Sequence, residues 1–198
     1  MEKIKLTKTE LKARTDALKR FQRFLPMLQL KKQQLQGEIA GITAKAEEVS
    51  AAERELKGGI DRWVGLFATD EGALDGLVNV KGVKTGSANI AGVAIPTFEG
   101  IDCEVGEVDA WATPAWVDDA VEATVRVVTL RCEREIYEEQ KRLIERELRV
   151  TSQRVNLFEK VKIPECKEAI RVIKIAIGDE QTAAVARGKI AKGRAPRS

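Results

Sequence analysis

The sequence predicts a mainly α-helical protein: a long antiparallel two-helix coiled coil, formed by the N- and C-terminal segments, with a small β-hairpin insertion between them. Three observations predict it. Apolar residues recur every seven positions near the N-terminus, a Gly- and Val-rich stretch follows, and a second apolar stripe runs through the C-terminal part. We expect an N-terminal coiled-coil helix over residues 1–67, an insertion with a short β-hairpin over 68–113, and a C-terminal coiled-coil helix with a basic tail over 114–198.

The composition favours long helices over a compact globule. Of the 198 residues, 43% are hydrophobic and 33% are charged, but only 5% are aromatic. Such a chain has few large side chains to fill a core, whereas a narrow helical seam needs few.

The first segment carries a heptad repeat that begins with Leu11 at position a. Every a and d position from Leu11 to Trp63 is apolar except Arg14, Lys32 and Glu53. A repeat of this length is typical of a coiled coil.

The ends and the interior of this first helix also carry signals. Thr7 or Thr9 can cap its N-terminus, and Glu10 lies three residues after Thr7, as in a capping box. Pro26 removes one backbone hydrogen bond from the helix, so we expect a bend there.

The insertion has the composition of turns and short strands. We expect one or two short strands on each side of a Gly/Ser turn, packed on the helices or on a partner because an isolated hairpin is marginal. The run GVKTGSANIAG superficially resembles a phosphate-binding loop, but Lys84 and Thr85 precede Gly86 instead of following it. A hairpin turn is the plainer interpretation.

The third segment has a broad apolar face. Pro114 suits a first helical turn, and two overlapping stripes follow, through Ile136, Leu143, Val150 and Leu157 and through Ile144, Leu148, Thr151, Val155 and Phe158. A face of this width is expected where a helix meets a second protein as well as its partner helix. Beyond Phe158 the stripe continues one residue late, on Ile163 and Cys166, so we expect a phase shift and a bend near Pro164.

No group of residues predicts catalysis, a cofactor or a metal ion. The chain has no histidine, which is the commonest general base and metal ligand. Asp118, Asp119 and Glu122 suit the start of a helix because they complement its dipole. Trp63, Trp111 and Trp116 are expected to pack where the helices meet the insertion.

The sequence also limits the location of the protein and its partners. The N-terminus has no apolar run of a signal peptide, and no stretch reaches the roughly 18 apolar residues of a membrane span. We therefore expect a cytosolic protein without membrane insertion, in which Cys103, Cys132 and Cys166 stay reduced. The net charge of +3 gives no strong argument for nucleic acid.

The C-terminal segment resembles the D subunit of the A/V-type rotary ATPases. The most specific part is the run Arg154, Val155, Asn156, Leu157, Glu159, Ile163 and Pro164, and it continues with Arg171, Ile173, Lys174 and Ile175. The stretches Asn89-Ile90-Ala91-Gly92-Val93 with Ile95-Pro96, and Lys8-Thr9-Glu10-Leu11, are similar to other parts of the family. Pro26 and the Gly/Ala-rich end depart from its pattern.

This resemblance implies a central-stalk rotor subunit without catalytic residues. Its expected partners are the catalytic and regulatory ring subunits of types A and B, the F subunit, and a coupling subunit that links it to the membrane rotor ring. It would transmit torque between ATP hydrolysis or synthesis and ion translocation, on the cytoplasmic face of the membrane. The alternative is a stand-alone coiled-coil adaptor or a nucleic-acid-binding arm that uses the basic ends.

Overall fold

Helices and one hairpin make up the described chain. The computed structural model describes residues 5–61, 65, 74, 76–106, 114 and 116–194. The elements are helix α1 (Lys8–Ile60), strands β1 (Val78–Ile90) and β2 (Val93–Val105), helix α2 (Val117–Leu157), a π-helix (Phe158–Lys162) and helix α3 (Ile163–Arg194). The strands form one antiparallel hairpin. The predicted fold class is confirmed.

The chain divides into two compact units. One combines the residues up to Lys32 with those from Val150 onward, and the other runs from Gln33 to Arg149. We call them the terminal unit and the hairpin unit. Each contains a stretch of α1 and a stretch from the C-terminal half of the chain.

The heptad seam of α1 is confirmed by burial. Every a and d position from Leu11 to Ile60 is buried or half-buried, and the most enclosed apolar ones are Leu35 and Ile42. Thr7 caps the helix, since its Oγ1 accepts a hydrogen bond from the Glu10 N–H at 3.3 Å. The helix continues through Pro26.

The hairpin turns later than the sequence predicted. Its two-residue turn is Ala91–Gly92, where both φ angles are positive (50° and 85°), as a type I′ turn requires. Asn89 Oδ1 accepts a hydrogen bond from the Gly92 N–H at 2.9 Å. The expected Gly/Ser turn was wrong because Gly86 and Ser87 lie inside β1, and each strand is 13 residues long. A carbon at the Cβ position of Gly86 would collide with the Glu99 carboxylate and lie 2.6 Å from Thr97 Oγ1.

In the hairpin unit, the turn end of the hairpin packs on both helices. Leu35 and Ile42 of α1, Ile95 of β2 and Ile144 of α2 form one buried cluster. Gln140 of α2 donates a hydrogen bond from Nε2 to the Pro96 carbonyl oxygen at 2.6 Å. The broad apolar face of α2 is therefore covered at this level by the chain's own hairpin.

The two helices of the hairpin unit run antiparallel. Glu53, late in α1, pairs with Arg134, early in α2. Leu35 and Ile42, earlier in α1, instead share a cluster with Ile144, later in α2. Residues later in α1 thus contact residues earlier in α2, as expected for two antiparallel helices.

The terminal unit repeats the antiparallel arrangement. The rings of Phe21 and Phe158 lie with centroids 4.9 Å apart. Nearer the N-terminus, Leu6 to Lys8 line a shared groove with Ile177 to Ala184. The buried face of the C-terminal half consists of Thr151, Val155, Cys166, Ala169 and Ile173.

The predicted phase shift is a π-helix. It spans Phe158 to Lys162, and the Ile163 N–H donates to the Phe158 carbonyl oxygen, five residues back. A π-turn holds one more residue than an α-turn without rotating the residues after it. The extra residue keeps Cys166 and Ile173 on the seam, immediately before Pro164.

Two smaller expectations need comment. Helix α2 begins at Val117, later than Pro114, although the Val117 N–H donates to the Pro114 carbonyl oxygen at 3.0 Å. Trp63 and Trp111 lie outside the described residues, so their packing remains a prediction.

None of the helices in the described ranges combines the length and the apolarity that a bilayer crossing demands.

Candidate functional site: docking surfaces of the two units

Among the described residues, no three cysteine, aspartate or glutamate side chains lie close enough together to hold a metal ion. Lys84 and Thr85, in the run that resembled a phosphate loop, lie in the extended strand β1, where Lys84 Nζ is 4.0 Å from Asp102 Oδ1. Burial raises the pKa of the Cys132 thiol, and the charge of Glu135 raises it further. A raised pKa disfavours the thiolate, which is the nucleophilic form.

Surfaces that can bind other proteins are more prominent. One of them is an open groove of about 760 Å³ between α1 and α2 in the hairpin unit. Its lining residues are Ala52, Glu55, Leu56, Gly59 and Ile60 from α1 and Ala123, Arg126, Thr129 and Leu130 from α2. We call it the α1–α2 groove.

Small side chains keep this groove open. Leu56 and Ile60 are half-buried seam residues, whereas Ala52 and Gly59 lie one position outside the seam and are exposed. Nothing lies within 4 Å of a Cβ built on Gly59. The groove therefore has an apolar base and a shallow rim, a shape suited to the apolar face of a helix from another protein.

The hairpin has two chemically different faces. Side chains alternate along a strand, and the pairing of Val78 with Val105, Val80 with Cys103, and Val83 with Ile101 puts these six residues on one face. We call this set the outer hairpin face. Val80, Val83 and Val105 are 38%, 40% and 53% exposed.

The other face of the hairpin carries charges at its base and apolar residues near the turn. Lys81 pairs with Glu104, and Lys84 lies near Asp102. Farther along β1, Ala88 and Ile90 share the parity of Lys84 and pack against the buried cluster. The outer hairpin face is therefore the one turned away from the cluster, and it presents exposed aliphatic side chains.

An ionic network lies on the seam of the hairpin unit. Glu53, at a heptad a position, is only 7% exposed. Its Oε1 accepts a hydrogen bond from Lys57 Nζ at 2.5 Å, and its Oε2 lies 3.3 Å from Arg134 Nε. The hydrogen bond from Lys57 lowers the pKa of Glu53, and the charges of Lys57 and Arg134 lower it further, although burial opposes them.

The terminal unit exposes apolar residues on its outer side. On α1, Phe24, Met27 and Leu30 occupy positions outside the seam and are 48%, 61% and 56% exposed. Leu157 and Val161, at the π-helix, are also exposed. Large exposed apolar side chains in one region are typical of contact surfaces.

The C-terminal end of α3 presents a different surface. All side chains from Ala186 to Gly193 are exposed. The charged ones among them, Arg187, Lys189 and Lys192, are all basic. The predicted basic tail is thus helical as far as Arg194.

Sequence reasoning missed two of these features, the ionic network and the outer hairpin face. Glu53 was noted only as an exception in the heptad, because its partner Arg134 is distant in sequence. The outer hairpin face was hidden because the expected turn position was wrong. The alternation of valine with polar residues from Val78 to Lys84 was a signal that could have shown it.

Paired α-helices with an inserted hairpin and exposed apolar side chains place this chain in the class of mainly α-helical coiled-coil proteins. The family model for the D subunit of ATP synthase matches residues 10–193. The V-type ATP synthase D subunit of Borreliella burgdorferi is 48% identical over 192 residues, which are 97% of this chain and 95% of that protein. The V-type ATP synthase D subunit of Chlamydia abortus is 33% identical, with 96% and 92% covered.

The V-type ATP synthase D subunit of Chlamydia muridarum is 33% identical over 193 residues, with 96% of this chain and 94% of that protein covered. This chain belongs to the family of ATP synthase D subunits. The resemblance inferred from the run around Pro164 is thereby confirmed.

Proposed function

We propose that this chain is the central-stalk rotor subunit of a V-type or A-type ATP synthase, and that it transmits torque between the catalytic ring and ion translocation. The observation that carries the proposal is the seam of α1, together with family membership. Every a and d position from Leu11 to Ile60 is buried or half-buried. Within each unit, helices packed against each other resist bending and twisting far better than a single helix would.

The chain has no catalytic role in this proposal. It acts by presenting different surfaces to the ring as it turns, and the A- and B-type ring subunits supply the nucleotide chemistry. The exposed apolar residues of the terminal unit, Phe24, Met27 and Leu30, and the basic end of α3 support contact with the ring.

Rotation itself provides the test. The chain is assembled with the ring subunits of its own complex, and the ring is fixed to a surface. A bead is attached through Ser87→Cys, on strand β1, after the native cysteines are replaced. ATP-driven rotation of the bead supports the proposal, whereas an active ring with a stationary bead contradicts it.

The α1–α2 groove supports binding of the F subunit. Its apolar base and its rim residues Glu55 and Arg126 suit an amphipathic segment. Gly59→Leu would fill the groove, and Gly58→Leu is a matched control because Gly58 is exposed and does not line it. We expect Gly59→Leu to weaken binding of the purified F subunit at least tenfold and Gly58→Leu to leave it unchanged. Equal binding by both variants would exclude this groove.

The outer hairpin face is proposed as a second contact within the complex. Three exposed valines on one face favour burial against another protein. We expect Val83→Lys to reduce assembly of the full complex, while Asn79→Lys, on the charged face, does not. Unimpaired assembly with Val83→Lys would remove the hairpin from the set of contacts.

The adaptor or nucleic-acid-binding alternative depends on the exposed basic residues Arg187, Lys189 and Lys192. Binding to nucleic acid through them would fall steeply with salt concentration. Titration of the chain with duplex DNA and with RNA at several salt concentrations distinguishes this alternative from the rotor proposal.

A further inference from the structure

A charged residue at the centre of an apolar seam requires an explanation. Glu53 occupies a heptad a position and is 7% exposed. The nearest seam residues on α1, Val49 and Leu56, are apolar. A leucine at position 53 would be the ordinary choice for this site.

Two cations contact Glu53 directly, Lys57 and Arg134, and a third, Arg131 on α2, acts on it through charge alone. Lys57 lies four residues later on the same helix, and its Nζ is 2.5 Å from Glu53 Oε1. That contact is the same wherever the partner helix lies. Arg134 lies on α2, so its contact with Glu53 Oε2 at 3.3 Å depends on the axial position of one helix against the other.

Arg134 depends on this contact as well. Its Nε is inaccessible to solvent and makes no hydrogen bond with any described residue, so Glu53 stabilises it through charge alone. The outer end of the guanidinium is satisfied separately, since Nη1 donates to Glu138 Oε1 at 2.7 Å on the same helix. Of the contacts that Arg134 makes, only the one between its Nε and Glu53 therefore depends on the position of α1.

The apolar seam by itself would tolerate a slip of seven residues, because a and d positions would again face a and d positions. The charges would not. A slip in one direction places Glu53 opposite Val127. A slip in the other gives Glu53 a cation in Lys141, but it leaves Arg134 against Ile60. Either slip breaks the contact between Glu53 and Arg134 and places the solvent-inaccessible Nε of Arg134 opposite an apolar residue, Ala46 or Ile60, which is unfavourable.

We propose that the Glu53–Arg134 pair is a register lock, which fixes the axial alignment of α1 against α2 in the hairpin unit. The attractive contact holds the observed register, and the buried Glu53 carboxylate and the enclosed Nε of Arg134 disfavour the registers one heptad away. The lock is a property of the helix pair, so its test does not depend on the proposed rotary function.

Distance measurements between spin labels report the register directly. Nitroxides are attached at Glu38→Cys on α1 and Arg126→Cys on α2, both exposed sites in the hairpin unit. The native cysteines are replaced first. The labels lie about six turns apart along the seam, so a slip of seven residues changes their separation by about 10 Å.

The informative variant is Glu53→Leu with Arg134→Leu, which removes the buried carboxylate and the partly buried guanidinium and keeps the seam apolar. We expect its thermal midpoint to be at or above that of the wild type, and its distance distribution to gain a second peak displaced by about 10 Å. The matched control, Glu139→Ala with Arg142→Ala, removes an exposed pair on α2 and should keep the single wild-type distance.

A further variant covers the case in which the double leucine chain does not fold. Arg134→Met removes only the contact between helices and leaves Glu53 paired with Lys57. We expect a second distance for this variant too. If either folded variant shows the single wild-type distance, the pair does not set the register and the proposal is overturned.

Discussion

Replacing Pro164 with alanine tests what sets the π-helix. The substitution restores a backbone N–H and removes the ring that crowds the preceding turn. A simple expectation is that the helix becomes regular and straight. We expect instead that the π-helix persists, because the side chains on either side of it fix the phase.

The magnitudes decide between these outcomes. A regular α-helix with the same number of residues would rotate everything after residue 162 by about 100°. Cys166, Ala169 and Ile173 are 3%, 3% and 0% exposed and would leave the seam. Their exposure would cost roughly 3–5 kcal/mol, whereas one restored backbone hydrogen bond contributes about 1 kcal/mol. Burial therefore outweighs the hydrogen bond.

The Cys166 thiol provides the assay. In a background with Cys103 and Cys132 changed to serine, its reaction with a thiol reagent reports exposure, and the chain in guanidinium gives the rate for full exposure. We expect Cys166 in Pro164→Ala to stay as protected as in the parent. Rapid labelling of the folded variant would show that the helix had slipped and that the proline alone holds the π-helix.

A deletion gives the complementary result. Removal of Lys160, an exposed residue of the π-helix, together with Pro164→Ala takes away both the extra residue and the proline. We expect a regular α-helix with the seam still in phase, and a protected Cys166. Labelling of Cys166 in this variant would mean that the extra residue is not what the π-helix accommodates.

Burial and charge in the hairpin unit give two further predictions. Ile42→Ala should lower the free energy of unfolding by about 3 kcal/mol, because Ile42 is 5% exposed and the hairpin covers it. The melting temperature of this variant should fall by roughly 6–12 °C. The fall should be clearly smaller for Ile39→Ala, a half-buried control. Stability from Glu53 should be present above its unfolded pKa of 4.5 and lost as the pH falls through its lower folded pKa. Glu53→Gln should therefore flatten the acid limb of a stability–pH curve, and an unchanged limb would contradict this.

The sequence allowed the seam to be predicted almost completely, because a heptad is a local pattern that burial enforces at each repeat. The burial of Leu35 and Ile42 follows from it, and so does the phase shift before Pro164. A shift of the apolar stripe by one residue can be accommodated only by an extra residue in a turn.

Long-range geometry could not be predicted in the same way. The pairing of Glu53 with Arg134 depends on the axial register of two helices, which an apolar heptad leaves open by multiples of seven. The hairpin turn was misplaced because Gly86 suggested a turn, whereas its lack of a side chain makes room for Glu99 and Thr97 from the opposite strand. The glycine at this position therefore reflects a contact between the two strands and does not mark a turn.

The basic end of α3 tests how the chain holds its place in the complex. Residues after Arg187 are exposed wherever their side chains are described, so a chain that ends at Arg187 should fold and melt like the full-length protein. If the basic residues attract acidic loops of the ring, the truncated chain should assemble less tightly at low salt. The contribution of exposed charges fades once the Debye length shrinks below about 8 Å, so the difference should vanish at high salt.

The salt dependence separates charge from packing. Ile190 is also removed by the truncation, and it is 58% exposed. Loss of an apolar contact would weaken assembly at every salt concentration, whereas loss of charge would weaken it only at low salt. If the chain rotates as proposed, charge suits this surface better than packing, because diffuse attraction creates no deep free-energy minimum at any one ring subunit. Equal assembly of both chains across the whole salt range would show that this end of α3 makes no contribution to docking.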